Sequence, residues 1–277
     1  MSSTTRPTRS WLFTPGTRAD RFAKAADVGA DVLIIDLEDA VAPEDKASAR
    51  ATTLQYLSEH RDAANTRALR INGLDTQAGI SDIDALLRSD AAPDFIILPK
   101  TEGPGHIQIL DRLLSTAKRP TRLIGLIESA RGLALVGEIA AATPRLAGLM
   151  LGAADMAADL GASPAWPPLA YERARLVHAC ALARIIPIDS PFFDVHDADG
   201  LANETREAAA FGFPAKAAIH PNQVKPINDV FTPTDDEVKH AQAVLEANKK
   251  GVGVVDGQMV DEAVARKARR VLAAAGQ

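Results

Sequence analysis

The chain of 277 residues contains a single cysteine, Cys180. One thiol cannot close an internal disulfide, and without a CxxC pair there is no zinc or redox signature, so Cys180 reads as small core filler. No apolar run approaches the roughly 20 residues needed to cross a bilayer, which argues against a membrane protein. The opening stretch "MSSTTRPTRS" lacks the apolar centre of a signal peptide, so a cytoplasmic location is the expectation. Positive charge is not in excess either. Against 36 Asp and Glu stand 31 Lys and Arg, for a net charge of -5, and that balance does not point to nucleic acid. HExxH, close histidine pairs and cysteine clusters are missing, which disfavours zinc. The stretch "GVGVVDG" has the wrong glycine spacing for a dinucleotide loop and no strand-helix unit around it.

What is present is a repeated alternation. Apolar, β-rich runs recur eight times: "WLFTPG", "DVLIIDLED", "RALRING", "DFIILPK", "RLIGLIES", "LAGLMLGAAD", "RIIPIDSP" and "AAIHP". Segments with helical spacing lie between them, among them "EDKASARATTLQYLSEH" and "LAYERARLVHACALAR". Strand alternating with helix implies a parallel sheet, and eight units is the number that closes an α/β (β/α)8 TIM barrel. The length agrees, since such barrels take roughly 250 residues. An open doubly wound sheet is the second possibility. Residues 1–230 are expected to form the barrel and 231–277 a C-terminal helical extension, two amphipathic helices that exceed what a barrel needs.

In a barrel the carboxyl ends of the strands share one rim, where active sites form. The polar residues expected there are Asp36, Glu38 and Asp39, then Arg70 and Asn72, then Lys100, Glu128, Asp155, Asp189 and His220. Glu128 and Asp155 end long apolar stretches, where a carboxylate is costly unless something offsets it. Two such acids on neighbouring strands suit a hard divalent cation, and magnesium commonly takes only one or two protein carboxylates. Arg70 and Lys100 would face the anionic parts of a ligand, with Arg70 able to grip a carboxylate through two parallel hydrogen bonds. Those charges serve carbon-carbon chemistry beside a carbonyl and metal-assisted phosphate chemistry equally well.

More specific stretches run through the chain: "LFTPGTRADRFAKAADVGADVLIIDLEDAVAPEDKASAR", "LRINGLDT", "ILPKTE", "IESARG", "LGAADMAADLG", "AAAFGFPAKAAIHPNQV" and "GQMVD". Together, and in this order, they resemble the HpcH/HpaI aldolase superfamily in its citrate lyase β-subunit-like branch. The resemblance implies a modified (β/α)8 barrel, a homotrimer or hexamer, and a magnesium-dependent lyase of β-hydroxyacyl-CoA thioesters such as citramalyl-, malyl-, citryl- or hydroxymethylglutaryl-CoA. It implies magnesium on Glu128 and Asp155, a substrate carboxylate on Arg70, and Glu38 behind the metal or against water on it. Coenzyme A phosphates would lie on Arg18, Arg21 and Lys24, with Lys100 and His220 beside the pantetheine. It also places Asp261 of "GQMVD" in a neighbouring subunit's site. Without the resemblance, Arg18, Arg21 and Lys24 read as a solvated helix face and His220 as a strand-closing residue satisfied by backbone. Two other readings stand beside it: a class II aldolase acting on 2-oxo acids without coenzyme A, and the β subunit of a multi-subunit citrate lyase.

Overall fold

A computed structural model describes residues 8–61, 65–249 and 253–277, and of Gln258 only the backbone. Eight parallel strands close into one barrel in sequence order: β1 Ser10–Pro15, β2 Val32–Asp36, β3 Thr66–Arg70, β4 Phe95–Leu98, β5 Arg122–Ile127, β6 Leu146–Leu151, β7 Ile186–Asp189 and β8 Ala215–Ala218. The expected TIM barrel is therefore the observed architecture, and β1 pairing with β8 rules out the open sheet. Among the described residues, no helix is long and apolar enough to cross a membrane.

Alternation along each strand sorts the side chains. Val32 and Ile34 of β2, Ala68 of β3, Leu126 of β5 and Ile188 of β7 fill the barrel interior, while their neighbours face the surrounding helices. Inward parity carried two residues further reaches Asp36 from Ile34, Arg70 from Ala68 and Glu128 from Leu126. That arithmetic puts these three side chains at the mouth.

The same parity excludes Asp189 from the mouth, correcting the expectation that every polar strand end faces the rim. Ile188 points inward, so Asp189 points outward. There it meets the Nε of Arg173 at 2.9 Å and the Nζ of Lys216 at 2.6 Å, all three side chains almost completely buried. Glu204 also accepts from Lys216 at 2.8 Å, and the Arg173 guanidinium stacks 4.2 Å from the Trp166 ring centroid. These residues tie β7 and β8 to the helices Ala170–Ala183 and Ala198–Phe211. Cys180 is buried in the first of those helices, and burial pushes its thiol up to about 12, consistent with an inert filler.

The described residues divide into two compact units, Thr8–Ile227 and a second containing Asn228–Gln277. In the second unit a capping box at Thr234 and Glu237 starts the helix Asp235–Asn248. The segment before the last helix, Glu262–Ala274, is a two-stranded hairpin, Gly253–Val255 against Gln258–Val260. Asp256 and Gly257 turn it with φ of 50° and 77°, the positive pair that an Asp-Gly hairpin turn requires.

Candidate active site

At the barrel mouth a cavity of about 340 Å³ is lined by Asp36, Arg70, Glu128 and Asp155 on its polar side and by Phe13, Met150 and Phe193 on its apolar side. A second cavity of about 600 Å³ shares Glu128 and Asp155 with it and adds Lys100, Glu102, His106 and Arg131. The two acids thus stand at the junction of an apolar chamber and a polar basin.

Glu128 follows β5 directly and is only 6% exposed. Its Oε1 accepts the backbone N–H of Lys100 at 2.6 Å. Lys100 itself adopts φ 49°, a left-handed conformation that costs a non-glycine residue on the order of 1 kcal/mol. The other oxygen lies over Gly152, where a Cβ would stand 2.6 Å from it. Burial pushes the Glu128 carboxyl up to about 8, and the nearby charges of Glu38 and Asp155 push the same way. Asp155 sits in the first turn of the helix Ala153–Leu160 that follows β6, at the helix's positive end.

Arg70 and Asp36 are register partners at the ends of β3 and β2. The Asp36 carboxylate accepts from Arg70 Nε at 2.7 Å and Nη2 at 2.6 Å, the paired geometry that fixes a guanidinium plane. It also accepts the N–H groups of Glu38 and Ala40, so one buried acid holds both the arginine and the turn after β2. Arg70 Nη1 reaches Glu38 Oε2 at 2.8 Å, and the guanidinium lies 4.9 Å from the Phe13 ring centroid. Burial opposes the arginine's charge, but the hydrogen bonds to Asp36 together with the negative charges of Asp36, Glu38 and Asp39 outweigh it and hold the guanidinium firmly protonated. Glu38, 4% exposed, bridges Arg70 to the Nζ of Lys100 at 2.9 Å. Burial raises its carboxyl despite both cations, while the hydrogen bond to Glu38 raises the Lys100 ammonium.

The other coenzyme A candidates of the barrel unit do not line these cavities. Arg18 is paired with Asp20 at 2.9 Å and Arg21 and Lys24 are exposed; none of the three lines either cavity. His220 caps the short helix Pro221–Gln223 by accepting the N–H of Asn222 at 3.2 Å. Asp261 caps the last helix, accepting the N–H of Val264 at 3.0 Å, and is exposed. Two residues that shape the site carried no chemical signal in the sequence: Gly152, whose missing side chain leaves room for Glu128, and Phe13, the floor beneath Arg70. Asp36 did stand among the rim acids, and its place one strand before an arginine in the parallel register is the signal that identifies its role.

The donor set is oxygen only. Among the described residues no group of three His, Cys, Asp or Glu side chains forms a closed metal cage. Magnesium does not require one, because it keeps several positions for water or substrate oxygens. A carboxyl pushed up by burial, and further by its acidic neighbours, is a group whose ionised form a divalent cation would stabilise, so the residues present fit such an ion.

Residues 9–221 match the family model described as HpcH/HpaI aldolase/citrate lyase. The L-malyl-CoA/beta-methylmalyl-CoA lyase of Cereibacter sphaeroides is 36% identical, over 96% of this chain and 94% of that protein. RipC from Yersinia pestis is 58% identical over 84% of this chain and 99% of its own, with a TM-score of 0.75. The CitE structure from Mycobacterium tuberculosis, in complex with magnesium, acetoacetate and coenzyme A, is 34% identical over 99% of this chain and 100% of its own, with a TM-score of 0.83.

Proposed function

From the premise that the chain belongs to the HpcH/HpaI aldolase/citrate lyase family, we propose that it is a magnesium-dependent carbon-carbon lyase of β-hydroxyacyl-CoA thioesters. Substrates of this class include malyl-, citramalyl-, citryl- and hydroxymethylglutaryl-CoA, and the products are an acyl-CoA and an oxo acid. The observation that carries the reading is the junction of Glu128 and Asp155 with Arg70 across one mouth cavity.

Glu128 and Asp155 would hold the cation, which when bound supplies a Lewis acid for the hydroxyl and adjacent carboxylate of the acid portion. Arg70, locked in plane by Asp36, presents its remaining N–H donors to the acid's carboxylate. Glu38 keeps Arg70 and Lys100 a fixed distance apart. Phe13, Met150 and Phe193 exclude water from the reacting carbons, which strengthens every charge interaction in the chamber. Cleavage breaks the carbon-carbon bond, turns the hydroxyl carbon into a carbonyl as the hydroxyl proton passes to solvent water, and leaves the bonding pair on the acyl-CoA as its enolate. Asp261 of a neighbouring subunit returns a proton to the enolate carbon, a role worth typically 10² to 10⁴-fold. A remote coenzyme A handle adds binding energy that is used at the reacting carbon, with Arg18, Arg21 and Lys24 serving its phosphates and Lys100 and His220 its pantetheine. A homotrimer, or a hexamer of two such trimers, belongs to the same reading and rests on the family resemblance, and a cytoplasmic location rests on the opening stretch without an apolar signal-peptide centre.

Two outcomes follow. Gly152→Ala places a methyl group against the Glu128 carboxylate at a backbone conformation alanine tolerates, φ -96° and ψ 83°. Calorimetric titration should show magnesium affinity reduced by about 10 to 100-fold, the range typical when a ligand's support is disturbed. For the shared site, mixing Asp261→Ala chains with Arg70→Ala chains should restore part of the activity, since some mixed sites then hold both intact residues. Absence of complementation under verified subunit exchange would remove Asp261 from the site. An aldolase acting without coenzyme A is distinguished by calorimetry showing no CoA-thioester binding. A citrate lyase subunit is distinguished by turnover confined to an acyl-carrier protein.

A further inference from the structure

Behind the mouth, on residues that line neither cavity, lies a second polar network. Lys46, on the first turn of the helix Lys46–Glu59, donates its Nζ to the carbonyls of Leu37 and Glu38, each at 3.0 Å, and to Asn72 Oδ1 at 2.6 Å. Asn72 donates its Nδ2 to the Leu37 carbonyl at 2.9 Å and to Asp82 Oδ2 at 2.7 Å, and its backbone N–H to the same oxygen at 2.9 Å. Arg50, four residues after Lys46 and so on the same helix face, closes the chain on Asp82 Oδ1 at 2.6 Å. The Asp82 side chain is completely buried. The helix Gln77–Arg88 that carries it is seated tightly, since a Cβ at Gly79 would run into the carbonyls of Asn72 and Gly73.

We propose that Lys46, Asn72 and Asp82 are positioning residues of the active site: they fix the backbone after β2 and β3 from behind, and thereby aim Glu38 and Arg70. The geometry makes this an argument about carbonyls. Strand pairing ends at Asp36 and Arg70, so the Glu38 carbonyl has no neighbouring strand to accept from. It is held by the Lys46 ammonium and by the Val41 N–H at 3.0 Å. A buried carbonyl that loses such a donor swings toward another, and the peptide swings with it. The Glu38 carboxylate, whose two oxygens span Arg70 and Lys100, cannot keep both contacts if its own backbone turns. Misplacement of a positioned group by about 1 Å costs as much as 10²-fold in rate.

The proposal rests on the lyase reading for its kinetic consequence but not for its structural one, and the test separates them. Lys46→Met keeps the aliphatic stem and removes the donor. Amide hydrogen exchange should then quicken by about tenfold or more at Glu38, Ala40 and Val41, with β4 to β6 unchanged. In turnover, kcat/KM should fall about 10 to 100-fold. Combined with Glu38→Gln, the loss should not exceed that of the more damaging single variant, and Lys46→Arg should recover part of the rate. If Lys46→Met does not fold, Asn72→Ser carries the same set of measurements. Unchanged exchange at residues 38–41, or losses that multiply in the double variant, would overturn the proposal. If the wild-type protein turned over no thioester, the lyase reading would fail, and quickened exchange confined to this segment would still uphold the positioning.

Discussion

Replacing Glu128 by glutamine is expected to reduce magnesium-dependent turnover by about 10³-fold or more while raising the thermal stability of the metal-free protein. The first half follows from the loss of a charged ligand: Lewis-acid stabilisation supplies several kcal/mol, and each 1.36 kcal/mol is a factor of ten. The second half follows from burial. Glu128 ionises only near 8 in the folded chain but near its ordinary value when unfolded. Between those values the folded state retains a proton that the unfolded state has released, so stability falls as pH rises through this window. Glutamine keeps the shape, and its side-chain oxygen still accepts the Lys100 N–H, but it has no charge to bury. Thermal melts from pH 6 to pH 8 should show the wild type losing stability without magnesium and regaining it with magnesium, and the variant indifferent to both. A variant that remained near wild-type activity would remove Glu128 from the metal.

The largest effect on stability is expected at Asp189, away from the mouth. Asp189→Asn leaves the ammonium of Lys216 with Glu204 alone and the Arg173 guanidinium without a charged partner, both in a buried layer. Breaking one partner of a buried ion network costs about 3 to 5 kcal/mol. In a domain of this size that corresponds to a drop in Tm on the order of 10 °C. Turnover of the variant at low temperature should stay within a few-fold of wild type, since the side chain faces the helices. Unchanged Tm with lost activity would place Asp189 in the chemistry instead.

These two acids show where the sequence is informative and where it stops. Both end an apolar run, and the eight runs with their helical spacers were enough to count the barrel and place its rim. Which rim residues face inward depends on parity, and parity is anchored by the interior residues, Leu126 for Glu128 and Ile188 for Asp189. A period of two is readable once the interior face is known, but runs buried on both faces, such as "VLIID", hide it. Arg70 could be placed at the mouth from the sequence; its clasp by Asp36 required the register of β2 on β3. Gly152 acts through an absent atom, and Lys46 through backbone carbonyls, and neither leaves a motif that names its task. The hairpin before Asp261 had its turn signal in "DG", but its short strands gave the alternation too few residues to stand out.

The most direct test of the central claim is turnover of a thioester panel by the purified protein. Malyl-, citramalyl-, citryl- and hydroxymethylglutaryl-CoA are incubated with magnesium or with a chelator, and the released oxo acid and acyl-CoA are quantified together. The account predicts equimolar release of both products from at least one thioester, abolished by the chelator and by Glu128→Gln. Turnover that survives the chelator, or cleavage only of free 2-oxo-acid aldols with none of the thioesters touched, would contradict it.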